Sequence, residues 1–238
     1  MNLDKISVVI LAGGLGTRLK NFRGGNTSKV LLEINGVPMI IKQIEQLISW
    51  GLSANNVICV TNPDLNESIE QVVQKKFDAK VKYVIQPKPL GIAHAFSYSQ
   101  DLISCEYVLL VLGDNFFEKN PFLNSRMNNE VISNIFTKRV QNPKDFGVIE
   151  VSENKIVSLE EKPENPSSDL AVVGLYLYKN EIFNRINMLE PSDRGEYEIT
   201  DLNRSLISNG GIAYHEIEGW WIDAGTPDRI IDLEKRMP

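Results

Sequence analysis

The sequence is poor in the residues that build cross-links and zinc sites, with two cysteines and two histidines among 238 residues. A chain of this length buries roughly 70% of its unfolded surface, so it can fold without disulfides or a structural metal. Cys59 and Cys105 lie within or beside apolar runs, as buried free thiols do in reducing compartments. His94 and His215 have no metal-ligand spacing with each other or with the cysteines. The sequence therefore predicts neither a disulfide framework nor a zinc site.

Long apolar runs and an excess of positive charge are also missing. The longest uninterrupted apolar run, Tyr107–Leu112, is far shorter than the ~20 residues of a membrane span. The first residues, MNLDKIS, lack the features of a signal peptide, so we expect a cytoplasmic protein that does not enter a membrane. Lysine and arginine number 25 against 31 aspartates and glutamates, a net charge of −6. This charge disfavours nucleic acid as a partner, because such binding depends on neutralising phosphates.

Apolar runs alternate with helical periodicity in the first half of the chain. The pattern predicts strands at residues 7–12, 57–60, 81–85 and 107–112, and helices at 38–50, 66–77 and from about Gly91. Pro38 in the first turn and Gly51 after the last are typical helix boundaries. Strand–helix alternation of this kind indicates a parallel sheet with helices on both faces.

The second half has a different pattern. It predicts a strand at 131–139, a hairpin over 147–159 that turns at 153–154, strands at 171–178 and 212–217, and helices at 181–189 and 199–208. Thr226 and Pro227 are expected to provide the N-cap and first turn of a closing helix. Because no repeat or flexible linker is present, we predict one domain over 1–238, with a second lobe that starts near residue 140.

A glycine-rich segment, LAGGLGTRL at residues 11–19, follows the first predicted strand. It lacks the lysine of a Walker A loop, and Leu19 stands where the dinucleotide fingerprint has its third glycine. Glycines at the carboxyl end of a strand still let backbone N–H groups approach phosphate oxygens, and Arg18 adds a fork of donors. Lys29, in the polar loop that follows, can reach the same phosphates. A tight structural turn is the alternative, but the arginine and the downstream lysine favour an anion site.

Two aspartates follow strand-like stretches. Asp114 comes directly after the run 107–112 and Gly113, and Asp223 lies in the segment WWIDAGT. Ligands of open α/β sheets bind beyond the carboxyl ends of the strands, and a pair of carboxylates there can hold Mg²⁺ together with substrate phosphates. For either aspartate alone, a simple turn is the alternative.

Two further segments place polar groups beside prolines. In SLEEKP, Lys162 can hold a phosphate and Glu161 can accept hydrogen bonds from hydroxyl groups, although a solvated charge cluster explains the same residues. In QPKPLGIAHAF, Gln86 can hydrogen-bond a base edge, and Gly91 permits a close backbone approach. We interpret His94 as a residue that packs the following helix rather than as a general base.

Taken together, these segments resemble the sugar nucleotidyltransferases, and most closely the short-form glucose-1-phosphate thymidylyltransferases. The matching stretches run in order from Val8 to about Glu234 and are LAGGLGTRL, SKVLLEINGVPMI, QPKPLGIAHAF, VLGDN, FGVIEV, SLEEKP, AVVGLYLY, RGEYEITDLNR and WWIDAGT. The combination of GDN, LEEKP and RGEYEITDLNR is much more specific than the opening motif. The resemblance implies an α/β fold in three layers, α/β/α, with a mixed, mainly parallel sheet of the nucleotide-diphospho-sugar transferase type.

The resemblance also implies a role for each matching residue. The residues expected to bind the nucleotide are Leu11, Gly13, Gly14, Gly16, Thr17, Arg18, Lys29, Gln86 and Gly91. Those expected around the sugar phosphate are Asn115, Gly147, Glu161, Lys162 and Val172. Asp114 and Asp223 are expected to hold Mg²⁺, and Arg18, Lys29 and Lys162 to act in catalysis. Residues 1–140 would then form the nucleotide-binding half and 141–238 the sugar-phosphate-binding half.

The implied reaction transfers a nucleotidyl group from a nucleoside triphosphate, expected to be dTTP, to a sugar 1-phosphate, expected to be glucose 1-phosphate. The attacking phosphate is already an anion, so the reaction needs no general base. Ile92 and His94 occupy positions where the family usually has leucine and glutamine. In having a histidine at the second of these positions, the chain resembles the uridylyltransferases. UTP and CTP are therefore alternative substrates.

Three other classes of protein bind nucleotides on related folds. A glycosyltransferase normally has Asp-x-Asp where this chain has Gly-Asp-Asn. A non-catalytic regulatory homologue is expected to lose Arg18, Lys29 or a metal carboxylate, and all are present. A dehydrogenase would need the missing third glycine. A homo-oligomer is a possible partner. The tetramer of the long thymidylyltransferases is not expected from the resemblance, because this sequence does not include the C-terminal helices associated with assembly there.

Overall fold

The computed structural model describes residues 3–14, 16–19, 22, 28–78, 80–123 and 127–237. Its strands are β1 (Ile6–Leu11), β2 (Glu33–Ile34), β3 (Val37–Pro38), β4 (Val57–Thr61), β5 (Lys82–Ile85), β6 (Tyr107–Leu112), β7 (Asn115–Phe117), β8 (Ser133–Arg139), β9 (Gly147–Ser152), β10 (Lys155–Glu161), β11 (Leu170–Lys179), β12 (Ile212–Glu216) and β13 (Trp221–Asp223). Its helices are α1 (Met39–Ser49), α2 (Asn66–Lys76), α3 (Ile92–Ser97), α4 (Ile182–Ile186), α5 (Ile199–Arg204) and α6 (Pro227–Arg236).

Within the described residues, nine strands form one sheet in the order β10-β9-β11-β6-β1-β4-β5, with β8 and β12 attached beside β11. β1 pairs in parallel with β4 and β6, β4 with β5, and β12 with β8. β11 runs antiparallel to β6, β8 and β9, and β10 runs antiparallel to β9. Only β10 and β11 therefore oppose the other seven strands, and the predicted mixed, mainly parallel sheet is confirmed.

Apolar side chains cover both faces of this sheet. Along β1, Val8 and Ile10 pack into one buried cluster, which also contains the apolar residues of α1 and α2. Val9 points to the other face and belongs to a second cluster with α3, α4 and α5. A strand buried on both faces needs a continuous apolar run, which explains why β1 shows no polar alternation. The arrangement has the three layers that the resemblance implied.

The predicted hairpin and most helix positions are confirmed. Glu153 and Asn154 have φ values of +50° and +59°, as a tight two-residue turn between β9 and β10 requires. The predicted helices at 181–189 and 199–208 are too long, because α4 ends at Ile186 and α5 at Arg204. Beyond both ends the chain continues in turns with i→i+3 hydrogen bonds, which preserve a helical spacing of apolar residues.

The closing helix begins where it was predicted, with Pro227 in its first turn. Thr226 occupies the N-cap position with extended backbone, which confirms the predicted cap, although its side chain makes no capping hydrogen bond. α6 packs against β2 and a small third cluster of buried residues. None of the helices in the described ranges is long and apolar enough to cross a membrane.

Candidate functional site

A cleft of about 730 Å³ lies at the carboxyl edge of the parallel strands. The predicted site residues along its wall are Leu11, Gly13, Gly14, Gly16, Arg18, Lys29, Gln86, Gly91, Asp114, Asn115, Gly147, Glu161, Lys162, Val172 and Asp223. The side chain of Thr17 lies outside the described part of the chain, as do Leu15 and most of the loop before Ser28. Residues from both halves of the sequence thus share one cavity.

The glycine-rich loop leaves β1 at Leu11 and lies against the end of β4. A Cβ atom at Gly13 would lie 3.1 Å from the carbonyl carbon of Thr61, and Asn62 Nδ2 donates to the Gly13 carbonyl oxygen over 2.8 Å. Gly16 has a φ of +57°, which glycine adopts without a steric penalty. Glycine at these positions leaves the backbone open toward the cleft, as an anion site requires.

Asp114 and Asp223 come together because the strands beside them pair. β7 and β13 form an antiparallel ladder with Asp223 opposite Asn115, and the Ala224 N–H donates to the carbonyl oxygen of Asp114 over 2.8 Å. The buried amide of Gln43 on α1 donates to the Asn115 carbonyl oxygen over 2.9 Å. The position of both carboxylates therefore depends on a small two-stranded sheet held by α1.

Two cations neutralise this pair of carboxylates. The ammonium group of Lys29 bonds to Asp114 Oδ2, and its Nζ lies 3.8 Å from Oδ1 of Asp223. Arg229 on α6 donates from Nη1 to Oδ2 of Asp223 over 3.0 Å. The same guanidinium lies 5.4 Å from the centre of the Phe146 ring, which connects α6 to the loop before β9.

The two carboxyl groups have opposite pKa shifts. Burial and the charge of Asp114 raise the pKa of Asp223 to about 6, against the opposing effects of Lys29 and Arg229. Burial alone would raise the pKa of Asp114, but Lys29 and the amide of Asn115 lower it below its usual value. Two adjacent carboxylates, one of them with a pKa raised by burial and by repulsion from the other, form the hard oxygen donor set that suits Mg²⁺.

The amide of Asn115 makes three hydrogen bonds within the protein. Its Oδ1 accepts from Trp221 Nε1 over 2.7 Å and from the Gly174 N–H over 3.0 Å, and its Nδ2 donates to Asp114 Oδ1 over 2.8 Å. The β8–β11 ladder is irregular between Val172 and Tyr176, and a Cβ at Gly174 would lie 2.7 Å from Asn115. Asn115 thus orients Asp114 at a bulge in the sheet, a common feature beside active sites.

Glu161 is the last residue of β10, Lys162 follows it, and both line the cleft. Thr200 donates from its hydroxyl to Glu161 Oε2 over 2.6 Å, and Lys162 Nζ lies 3.2 Å from Glu161 Oε1. Lys162 has a φ of +45°, an unusual backbone conformation for a non-glycine residue that concentrates at functional sites. Its N–H donates to the Phe146 carbonyl oxygen over 3.0 Å.

Gln86 and Gly91 lie together on the wall of the cleft. Gln86 is nearly buried, and its Nε2 lies 2.8 Å from Nδ1 of His94. Gly91 has a φ of +104°, and a Cβ there would lie 2.6 Å from the carbonyl oxygen of Tyr197. The prediction that Gly91 permits a close backbone approach is confirmed, and the backbone that approaches is the protein's own.

Two arginines on the cleft wall were not singled out from the sequence. Arg194 lies within the quoted segment RGEYEITDLNR, and its guanidinium lies 3.5 Å from Glu196 Oε2 and 3.4 Å from Glu198 Oε1. Arg229 belongs to no motif, and the helix that carries it reaches Asp223 only in the folded chain. A search for cations near acidic motifs could have found both, because Arg194 lies close to Glu196 and Glu198, and Arg229 follows Asp223 by six residues.

The fold is that of an α/β protein. Its cleft can hold polyanions between the glycine-rich loop and the Glu161-Lys162 segment. A model of the family described as nucleotidyl transferase matches residues 7–238. The chain belongs to this family, which confirms the family resemblance noted in the sequence.

Two of the similar proteins are named glucose-1-phosphate thymidylyltransferase. The chain is 37% identical over 230 residues to the glucose-1-phosphate thymidylyltransferase of Neisseria meningitidis, covering 93% of this chain and 79% of that protein. It is 36% identical over 231 residues to the enzyme of the same name from Mycolicibacterium smegmatis, covering 94% of this chain and 79% of that protein.

Two solved structures are similar to this chain in fold. A Bacillus anthracis protein provisionally designated a glucose-1-phosphate thymidylyltransferase, in complex with sucrose, superposes with a TM-score of 0.87 at 32% identity, covering 98% of this chain and 96% of that one. A UDP-glucose pyrophosphorylase complexed with UDP-glucose superposes with a TM-score of 0.74 at 23% identity, covering 96% of both chains. The second similarity shows the shared fold.

Proposed function

We propose that this protein transfers a nucleotidyl group from a nucleoside triphosphate, dTTP or UTP, to a sugar 1-phosphate, glucose 1-phosphate in the first instance. The observation that carries the proposal is the single cleft that joins the glycine-rich loop, the paired aspartates and the Glu161-Lys162 segment. The names of the thymidylyltransferase relatives support the same reaction class.

The cleft has the charges that two phosphate-bearing substrates need. Four of the cations that line the cleft would hold phosphates. Arg18, within the glycine-rich segment, and Lys29 would hold the triphosphate. Lys162 and Arg194 would hold the sugar phosphate. Arginine offers a planar fork of donors and lysine a point charge, and both suit phosphate oxygens. Glu161, oriented by Thr200, would accept hydrogen bonds from sugar hydroxyls.

The chemistry needs no protein base. An oxygen of the sugar 1-phosphate attacks the α-phosphorus, a new P–O bond forms, and the bond to the β-phosphate oxygen breaks to release pyrophosphate. Because a phosphate monoester has its second pKa near 6, the nucleophile carries its negative charge at neutral pH. The protein supplies orientation and electrostatic stabilisation, and neither histidine lies on the described wall of the cleft.

We assign Asp114 and Asp223 as the ligands of Mg²⁺, because two converging, partly buried carboxylates provide the oxygen donors that this ion prefers. The ion would neutralise charge on the phosphates while they react. We also propose that residues 1–140 supply the nucleotide contacts and residues 141–238 the sugar-phosphate contacts. Asp223 is the exception, because it lies beside Lys29 and pairs with Arg229 on α6.

Pyrophosphate release tests the proposal directly. The assay combines the protein with Mg²⁺, glucose 1-phosphate and each of dTTP, UTP, CTP and GTP in turn, with Lys162→Ala as the matched variant. We expect release with dTTP or UTP, and a strongly raised KM for glucose 1-phosphate in Lys162→Ala.

Release with CTP or GTP only would keep the reaction class and overturn the choice of base. Nucleotide binding without release, after other sugar 1-phosphates have also failed, would overturn catalysis and favour a regulatory protein. Sugar transfer from a nucleotide-sugar without pyrophosphate would identify a glycosyltransferase instead.

A further inference from the structure

A histidine outside the cleft wall contacts the residue that we place at the base. Gln86 lines the cleft, whereas His94 is not among the described lining residues. The two side chains meet through Gln86 Nε2 and His94 Nδ1, 2.8 Å apart. His94 therefore stands behind Gln86 and can act on a bound nucleotide only through it.

The surroundings decide which way the Gln86 amide points. The carbonyl oxygen of Gly91 lies 3.5 Å from Nε2 and already accepts the N–H of Ala95. A carbonyl oxygen can only accept, so a reversed amide would bring Oε1 against another oxygen atom. We therefore place Nε2 toward Gly91 and His94, and in this orientation the imidazole accepts at Nδ1 and carries its proton on Nε2.

His94 itself is held firmly by two aromatic rings. Its ring stacks on Tyr197 with centroids 5.8 Å apart and an interplanar angle of 21°, and it meets Tyr98 edge-on at 5.1 Å. The Tyr197 backbone bonds to Leu90 and Ala93 on either side of Gly91. Burial lowers the pKa of His94, which keeps the imidazole neutral and able to accept.

We propose that His94 is a positioning residue that fixes the Gln86 amide so that Oε1 is presented to the base, and thereby selects pyrimidines with an N3–H group over cytosine. No hydrogen bond to Oε1 occurs within the described residues, so this acceptor is available to a ligand. Thymine and uracil donate from N3, whereas cytosine has an unprotonated N3 that would face Oε1 as a second acceptor. The inference rests on the proposed function, since it assumes that Gln86 meets the base.

Two substitutions separate the hydrogen bond from the packing. His94→Phe keeps a ring against Tyr197 and Tyr98 but removes the acceptor, and His94→Asn keeps an acceptor near the position of Nδ1. The measurements are kcat/KM by pyrophosphate release and Kd by calorimetry, each for dTTP and CTP. We expect the preference for dTTP over CTP to fall roughly 10- to 100-fold in His94→Phe, as for loss of one oriented base contact, and to recover largely in His94→Asn.

An unchanged dTTP/CTP ratio in His94→Phe, or an equal loss for both nucleotides, would show that His94 only packs, and would overturn the inference. If the wild-type protein releases no pyrophosphate, the proposed function fails, while the Kd ratios still test the role of His94. The ¹⁵N shifts of the wild-type imidazole provide a test that needs no variant. They are expected to report the Nε2–H tautomer, and an Nδ1–H tautomer would contradict the proposal.

Discussion

Lys29 and Asp114, 85 residues apart in the sequence, form an ion pair on the wall of the cleft. Sequence patterns suggested a phosphate-binding lysine and a metal-binding aspartate, each at its own loop. The structure puts them in contact and places Asp223 3.8 Å from the same ammonium group. One lysine therefore stands between the two carboxylates and the glycine-rich loop, and it is the natural first target for mutation.

Lys29→Ala is expected to lower kcat/KM by 10²–10³, or roughly 3–4 kcal/mol of barrier, as for other oriented electrostatic groups. Circular dichroism should show an unchanged fold. Lys119→Ala is the matched control, because Lys119 pairs with Glu218 on the exposed surface, where such pairs contribute little. Near wild-type turnover in Lys29→Ala would remove Lys29 from the mechanism.

The same substitution should make stability depend on the metal. Without Lys29, the two carboxylates lose the cation that they share. We expect the free energy of unfolding in EDTA to fall, but by less than the roughly 3–5 kcal/mol lost when one partner of a fully buried ion pair is removed. Mg²⁺ should then raise the Tm of Lys29→Ala more than that of the wild type, because the ion no longer competes with the lysine. The double variant Lys29→Ala/Asp223→Asn should lose this extra response. An equal Mg²⁺ response in all three proteins would contradict the assignment of Asp223 as a ligand.

Gly91→Ala is expected to destabilise the protein by about 1–3 kcal/mol, because the φ of +104° is combined with a Cβ contact at 2.6 Å to Tyr197. Gly210→Ala is the control, since Gly210 has a φ of +67° but nothing within 4 Å of its Cβ position. Chemical denaturation measures both. Equal losses would mean that backbone strain alone matters and that the Tyr197 contact relaxes without a penalty.

Thr200→Val should weaken binding of the sugar phosphate by removing the hydroxyl that donates to Glu161 Oε2 over 2.6 Å. We expect the KM for glucose 1-phosphate to rise roughly tenfold, equivalent to about 1.4 kcal/mol, while the KM for the nucleotide changes little. Thr200→Ser retains the hydroxyl and should restore most of the affinity. A rise in both KM values would point instead to a general disturbance of the cleft.

His215 should make the protein less stable in mild acid. Burial lowers the pKa of His215 from its usual 6.5, so below that pH the unfolded chain binds the proton more readily, and the free energy of unfolding falls as the pH decreases. The contribution is at most about 1.4 kcal/mol per pH unit. His215→Gln keeps an N–H donor toward Asn134 Oδ1, which lies 2.8 Å from His215 Nε2, but does not titrate. The stability difference between the two proteins should therefore change between pH 7 and 5, and a constant difference would contradict the shift.

The sheet and the main helices could be predicted because their signals are local. The apolar run of β1, the helical periodicity of α1 and the turn at Glu153 and Asn154 each follow from side chains that are neighbours along the chain. The same locality explains the errors at α4 and α5, where turns repeat the spacing of a helix. It also explains why the N-cap position of Thr226 could be predicted.

Motifs in the sequence indicated the family and fifteen of the residues along the cleft, which is fewer than half of its lining. They could not show that β7 pairs with β13 and brings Asp114 to Asp223, that Arg229 reaches across from α6, or that His94 supports Gln86. The first contact joins segments far apart in the chain. The other two span only six and eight residues, but their geometry also depends on how the strands and helices pack. The residue types of this site were thus set by the sequence alone, whereas the partners and charge states of those residues were decided by tertiary structure.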